Sequence, residues 1–270
     1  MARSSGAHGV NVGFFGPREA QRFYAHHEAA DRGGRPRAVV LCNPGPQEYR
    51  QCHWALRQLA DRLADAGAHV LRFDYVGTGD SAGDADAGSL DRWADDVHDA
   101  VEELRAIAGV SRVTLVGLRL GAAIAWRAAA NGTRVHELIG WDPVVRGARY
   151  LAHLDAVQER IRLDQAYPIS DVVDPDTLLG VTLTRAQRAE LAALDLATAP
   201  LPDTPRITLF HAEPDDDIER LAAHGAQADA PIVTTHVPDA SLSRPVWHED
   251  TLLAQAIPSA IVAHLVGSAR

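Results

Sequence analysis

Val113-Thr114-Leu115-Val116-Gly117-Leu118-Arg119-Leu120-Gly121-Ala122-Ala123 is the stretch whose reading decides the fold. An apolar, partly β-branched run gives way within a few residues to small helix formers, so the segment reads as strand, tight turn and helix. Such an abrupt turn forces its central residue into a strained conformation, and the positions two before and two after must be tiny. Gly117 and Gly121 occupy those positions, while Ala122 and Ala123 let the helix pack close behind the strand. The central position itself holds Arg119.

Outward from this turn, short apolar runs alternate with amphipathic stretches, the pattern of a mainly parallel sheet flanked by helices. Val10 to Phe15 and Gln21 to His26 predict a hairpin around Gly16-Pro17. Ala38 to Leu41 predicts a buried strand, followed by the loop Cys42-Asn43-Pro44-Gly45-Pro46. Leu56, Leu59, Ala60 and Leu63 then follow helical spacing up to Gly67. Val70 to Phe73 is the next strand, ending at Asp74 and the turn Gly77 to Ser81. Ser89 predicts an N-cap for a helix burying Leu90, Trp93, Val97, Val101 and Leu104. After the arginine turn come a strand at Leu138 to Trp141 and the pair Asp142-Pro143. Residues 144–202 carry no strand signal and read as a helical cap over the C-terminal edge of the sheet. Strands at Ile207 to Phe210 and Ile232 to Val237 and a helix from about Leu252 to Val266 complete the order. No repeat or long linker divides the chain, so residues 1–270 read as one domain with the cap as an insertion.

The composition narrows the function classes. A net charge of -10 and no basic run argue against nucleic acid as a partner. No apolar segment approaches the roughly 20 residues needed to span a bilayer, so no membrane partner is expected. Met1 to Val10 lacks the apolar core of a secretory signal, and only Cys42 and Cys52 are present, both of which fit a reducing, cytoplasmic setting. All 26 cationic side chains are arginines. The absence of lysine removes Schiff-base chemistry, a pyridoxal phosphate anchor and the lysine of a phosphate-binding loop. Neither a cofactor nor a metal is expected, and oligomeric state stays open.

The chain resembles the bacterial α/β-hydrolases related to the serine-aminopeptidase group and to the exosortase-associated hydrolases. The resemblance runs from Phe14-Phe15-Gly16-Pro17 to the end of the chain. It rests on Leu71 to Tyr75 with Gly77 to Ser81, on Gly117 to Ala122, and on Trp141-Asp142-Pro143-Val144. Gln47-Glu48-Tyr49 and Pro245-Val246-Trp247 add to it. It implies the α/β-hydrolase fold, in which the G-x-S-x-G turn is the nucleophile elbow. The subgroup it resembles carries the same arginine there, and its genes often lie near natural-product or polysaccharide pathways.

Arg119 cannot serve as a nucleophile, because its guanidinium stays protonated. It can hold a carboxylate or phosphate by paired hydrogen bonds, or polarise a carbonyl. Paired with an acid, it can equally plug an empty pocket. In this fold the acid and the histidine follow the elbow in chain order. Asp142 sits at a strand's C-terminal end, where ligands gather in open α/β sheets, and is the expected partner of Arg119. Glu213, Asp215 and Asp216 are the other acids, each readable as part of a solvated loop. His248, in Pro245-Val246-Trp247-His248-Glu249, is the expected base, although 13 histidines make one in such a window common. His211 ends a strand and reads more simply as a packed or capping residue. Oxyanion donors fall in the Asn43-Pro44 region and at Leu120. Cys42 lies at the same mouth, as a displaced nucleophile or, more simply, a buried apolar residue.

Three functions follow. The first is an enzyme without a covalent nucleophile, using Arg119 for electrostatic stabilisation and His248 for proton transfer on an acyl, ester or acidic small molecule, by water-mediated hydrolysis, elimination or cyclisation. The second is a pseudoenzyme that binds a ligand or a partner. The third is an acyl hydrolase or thioesterase using Cys42.

Overall fold

The computed structural model describes residues 9–33, 37–164, 174–239 and 255–267. Strands β1 (Val10–Phe15) and β2 (Arg22–His27) form the expected hairpin. β3 (Arg37–Cys42), helix α1 (Pro46–Asp65), β4 (Ala68–Phe73), α2 (Leu90–Ala108), β5 (Val113–Leu118), α3 (Leu120–Ala130) and β6 (Glu137–Trp141) follow in strict alternation. Helices α4 (Gly147–Asp164) and α5 (Arg185–Ala193) enclose a small hairpin of β7 (Thr177–Leu178) and β8 (Val181–Thr182). β9 (Ile207–His211), α6 (Asp216–Gln227), β10 (Ile232–His236) and α7 (Ala256–Gly267) close the order.

Eight strands form one sheet in the order β1-β2-β4-β3-β5-β6-β9-β10. β1 and β2 pair antiparallel, as do β2 and β4, and every other pairing is parallel. Both faces are buried, which is why the central strands read as continuous apolar runs. Val40 and Leu115 pack with Val97 and Leu104 of α2 and Ile124 and Trp126 of α3. Their chain neighbours Val39, Leu41 and Val116 pack on the opposite face, with Leu56, Leu59 and Leu63 of α1 and Ile257 and Ile261 of α7.

Local signals behave as expected at most element ends. The Ser89 side chain accepts a hydrogen bond from the Arg92 N–H at 3.1 Å, capping α2. Gly67 follows α1 with a φ of 88°.

The stretch between β6 and β9 differs from the all-helical expectation through the β7–β8 hairpin. Its turn is Leu179-Gly180, both at positive φ (54° and 76°), as a two-residue hairpin loop of this hand requires. Strands of two residues are too short for alternation to register, and leucine is an unusual occupant of that turn position.

Candidate functional site

The register of the parallel strands sets the site. Leu118 lies opposite Trp141, Trp141 opposite Phe210, and His211 opposite His236. One residue further along, Arg119, Asp142 and His211 therefore stand in one row across the C-terminal ends of β5, β6 and β9.

Backbone geometry at the head of that row is severe. Arg119 adopts φ 54° and ψ -119°, outside the regions an L residue ordinarily occupies. Its N–H donates to the Trp141 carbonyl at 2.9 Å, and its own carbonyl accepts from the N–H groups of Ala122 and Val144. A Cβ on Gly117 would meet the Ala122 backbone at 2.4 Å, and one on Gly121 would meet the carbonyl oxygen of Asn43 at 2.2 Å. Both glycines are thus required by close backbone approach. Asp142 also sits at positive φ, 42°.

Arg119 is anchored from behind. Its Nε lies 3.3 Å from Oε1 of Glu48, in the first turn of α1. The other carboxylate oxygen of Glu48 accepts from the Tyr150 hydroxyl at 2.8 Å, and the Arg119 guanidinium lies over the Tyr150 ring, 5.7 Å from its centroid. Burial opposes the charge on Arg119, but Glu48, with Tyr150 and Asp142, outweighs burial and holds its pKa above the ordinary value. The guanidinium is therefore permanently charged. Among the described residues its Nη1 and Nη2 have no hydrogen-bond partner, so the fork of the side chain is open. The expected ion pair with Asp142 is replaced by the one with Glu48. The reason is reach: Glu48 meets Nε, while Asp142 acts on Arg119 only through its charge.

Asp142 is held differently. Its Oδ1 accepts from the Ala212 N–H at 2.8 Å, and its Oδ2 is buried without a hydrogen-bond partner among the described residues. Burial raises its pKa, a shift the Ala212 hydrogen bond and the charges of Arg119 and His211 only partly oppose. Arg119, Asp142, Pro143, His211, Ala212 and Glu213 line a cavity of about 140 Å³, with Asp215 and Ile218 completing its wall. A water molecule takes about 30 Å³ of liquid, so the cavity has room for a small polar group and water.

A charged clasp closes the wall on the side of α4. Asp217 accepts from Arg146 at 2.6 Å and from Arg149 at 3.0 Å, and Asp215 pairs with Arg149 at 2.6 Å. These contacts join α4 to the start of α6. Asp215 is committed further as the N-cap of α6, so of the acidic trio Asp215 is structural.

The remaining predicted residues divide clearly. Leu120 is fully buried and opens α3, where the first N–H groups lack intrahelical acceptors. Asn43 is buried and spends its side chain on the Phe73 carbonyl at 2.5 Å, and its own carbonyl accepts from Tyr75 at 3.2 Å. Cys42 has no exposed surface, and burial pushes its thiol up to about 12, which suits the buried apolar residue and disfavours the displaced nucleophile. His248 lies outside the described residues. Glu48 and Tyr150 were missed as site residues; an acid in the first turn of a helix reads as dipole compensation, and only the packing of α1 and α4 against the elbow reveals their part.

A family model described as serine aminopeptidase, S33, matches residues 34–200. The human protein ABHD12B is 39% identical over 103 residues, which are 38% of this chain and 27% of that protein. Solved structures share the fold at low identity. A hypothetical protein from Pseudomonas aeruginosa superposes with a TM-score of 0.64 at 16% identity, covering 98% of this chain and 95% of its own. An esterase from Pyrococcus furiosus gives 0.62 at 14% identity over 97% and 90%. Est1E from Butyrivibrio proteoclasticus, solved with ferulic acid bound, gives 0.60 at 14% identity over 95% and 97%. No helix among the described residues is long and apolar enough to cross a membrane.

Proposed function

The chain belongs to the serine aminopeptidase S33 family of α/β-hydrolases, and from that membership we propose that it hydrolyses a small acyl or ester compound without a covalent intermediate. The observation that carries this reading is the open fork of Arg119 beside the unbonded Oδ2 of Asp142 in one cavity. A substrate carbonyl accepts from Nη1 and Nη2 of Arg119. A water donates to Asp142 Oδ2 and adds to the carbonyl carbon, and the π pair moves onto the oxygen held by Arg119. Collapse re-forms the carbonyl, breaks the bond to the leaving oxygen, and returns the water's proton to that oxygen, giving an acid and an alcohol. A side-chain base carries the proton between the two steps. Elimination or cyclisation would use the same donor and acceptor, and a place in secondary metabolism accords with the resemblance noted above.

Turnover of a panel of small p-nitrophenyl esters tests the reading. Arg119→Ala is expected to lose about 100-fold or more in kcat, the scale of a removed oxyanion donor. A fluorophosphonate that labels activated serines is expected to leave wild-type turnover intact. Full activity in Arg119→Ala, or loss of activity on labelling, would overturn it.

The Glu48 contact favours a second reading. A guanidinium already compensated by an internal carboxylate suits a protein that binds a neutral carbonyl ligand and releases it unchanged. Tight binding by calorimetry, with no turnover across the panel, would decide for that reading.

A further inference from the structure

We propose that His211 is the acid–base residue of this site; the role rests on the hydrolytic reading of Arg119 and Asp142. β6 and β9 place His211 directly beside Asp142, and both line the cavity that Arg119 faces. The two are also locked to one frame, because Asp142 Oδ1 is anchored on the N–H of Ala212, the residue next to His211.

The tautomer follows from the hydrogen bonds. His211 Nδ1 lies 2.8 Å from the carbonyl oxygen of Glu213. A carbonyl can only accept, so Nδ1 carries the hydrogen, and in the neutral ring Nε2 holds the lone pair. Nε2 has no hydrogen-bond partner among the described residues. The ring plane is fixed as well: it stacks on His236 at 5.4 Å and 29°, and His236 is tied through Nε2 to the Ala212 carbonyl at 3.1 Å. With Nδ1 committed to a carbonyl and Asp142 in the same cavity, Nε2 is the ring nitrogen left to act as a general base.

In the reaction, Nε2 takes a proton from the water as its oxygen bonds to the carbonyl carbon. The imidazolium so formed shares its cavity with Asp142, which stabilises it, and stays stacked on the His236 ring. When the tetrahedral species collapses, Nε2 returns the proton to the leaving oxygen and the imidazole is restored. No other donor or acceptor of protons is needed for this cycle.

The experiment has two arms on the full-length chain. The first is a long-range ¹H–¹⁵N correlation spectrum of the uniformly labelled protein, with His211→Gln identifying the resonance. The Nδ1–H tautomer is expected, and the Nε2–H tautomer would overturn the proposal. The second compares ester turnover in His211→Gln and His248→Gln. A loss of about 100-fold in kcat for His211→Gln, with KM within about 3-fold, is expected. His248→Gln is expected to stay within about 3-fold of wild type on the same grounds. Loss in His248→Gln with activity retained in His211→Gln would overturn the assignment. Arg119→Ala run alongside separates the two ideas: unchanged turnover there rejects the hydrolytic reading, while reduced turnover there with His211→Gln unaffected rejects the His211 role alone.

Discussion

Glu48 meets Arg119 through one nitrogen only: Oε1 lies 3.3 Å from Nε, and among the described residues the two terminal amino groups have no hydrogen-bond partner. A carboxylate that took the fork end-on would quench the group, whereas one that takes Nε fixes the plane of the guanidinium and leaves its donors presented. The same residue holds Tyr150 at 2.8 Å, so α1, α4 and the turn after β5 share one hydrogen-bonded knot.

Removing that anchor therefore costs both stability and alignment. Glu48→Gln is expected to lose about 1–2 kcal/mol in urea unfolding, between the values for exposed and buried pairs, since both side chains are partly covered. Tyr150→Phe keeps the ring under the guanidinium and is expected to lose about 1 kcal/mol, the worth of one hydrogen bond. A larger loss in Tyr150→Phe than in Glu48→Gln would show that the carboxylate is not the anchor.

Asp142→Asn makes a pH-dependent prediction. Burial raises this carboxyl, so the folded state binds its proton more tightly than the unfolded state does. Its contribution thus favours folding at acid pH and declines as pH rises through the raised value. Asp142→Asn, which keeps an acceptor for Ala212, is expected to be more stable than wild type at neutral pH. That advantage should vanish below about pH 4, the ordinary aspartate range. Unfolding midpoints at both pH values check it, and an advantage that grows on acidification would refute it.

Cys42 is expected to resist alkylation. With its thiol buried and pushed up to about 12, native protein treated with iodoacetamide at mildly alkaline pH should carry no label at this position by peptide mass spectrometry. The same peptide should be fully modified after denaturation. Rapid native labelling would reopen thiolate chemistry at the mouth of β3.

Gly121→Ala is expected to lose about 3 kcal/mol or more, as the new methyl would press on two backbone carbonyls, of Cys42 at 2.3 Å and Asn43 at 2.2 Å. Backbone cannot step aside as a flexible side chain can. An Ala variant of wild-type stability would mean that α3 is free to slide away from β3.

The sequence was informative where local chemistry decides the outcome. Gly117 and Gly121 announced the turn, Ser89 announced its helix, and the apolar runs of β3, β5 and β6 announced a sheet covered on both faces. It was silent where lateral register decides. Arg119, Asp142 and His211 share a row only because β5, β6 and β9 are neighbours with a particular stagger, and nothing within any one strand encodes that stagger. Chain order alone favoured His248 and made His211 look like packing. Likewise, Glu48 could not be read as the partner of Arg119, because α1 first has to be laid across the turn.

The conformation at residue 119 has a practical corollary. It is imposed by Gly117, Gly121 and the hydrogen bonds to Trp141, Ala122 and Val144, none of which involve the arginine side chain. Position 119 therefore behaves as a socket. A serine, cysteine or aspartate installed there would start from the same Cβ position, at the head of the row that Asp142 and His211 complete.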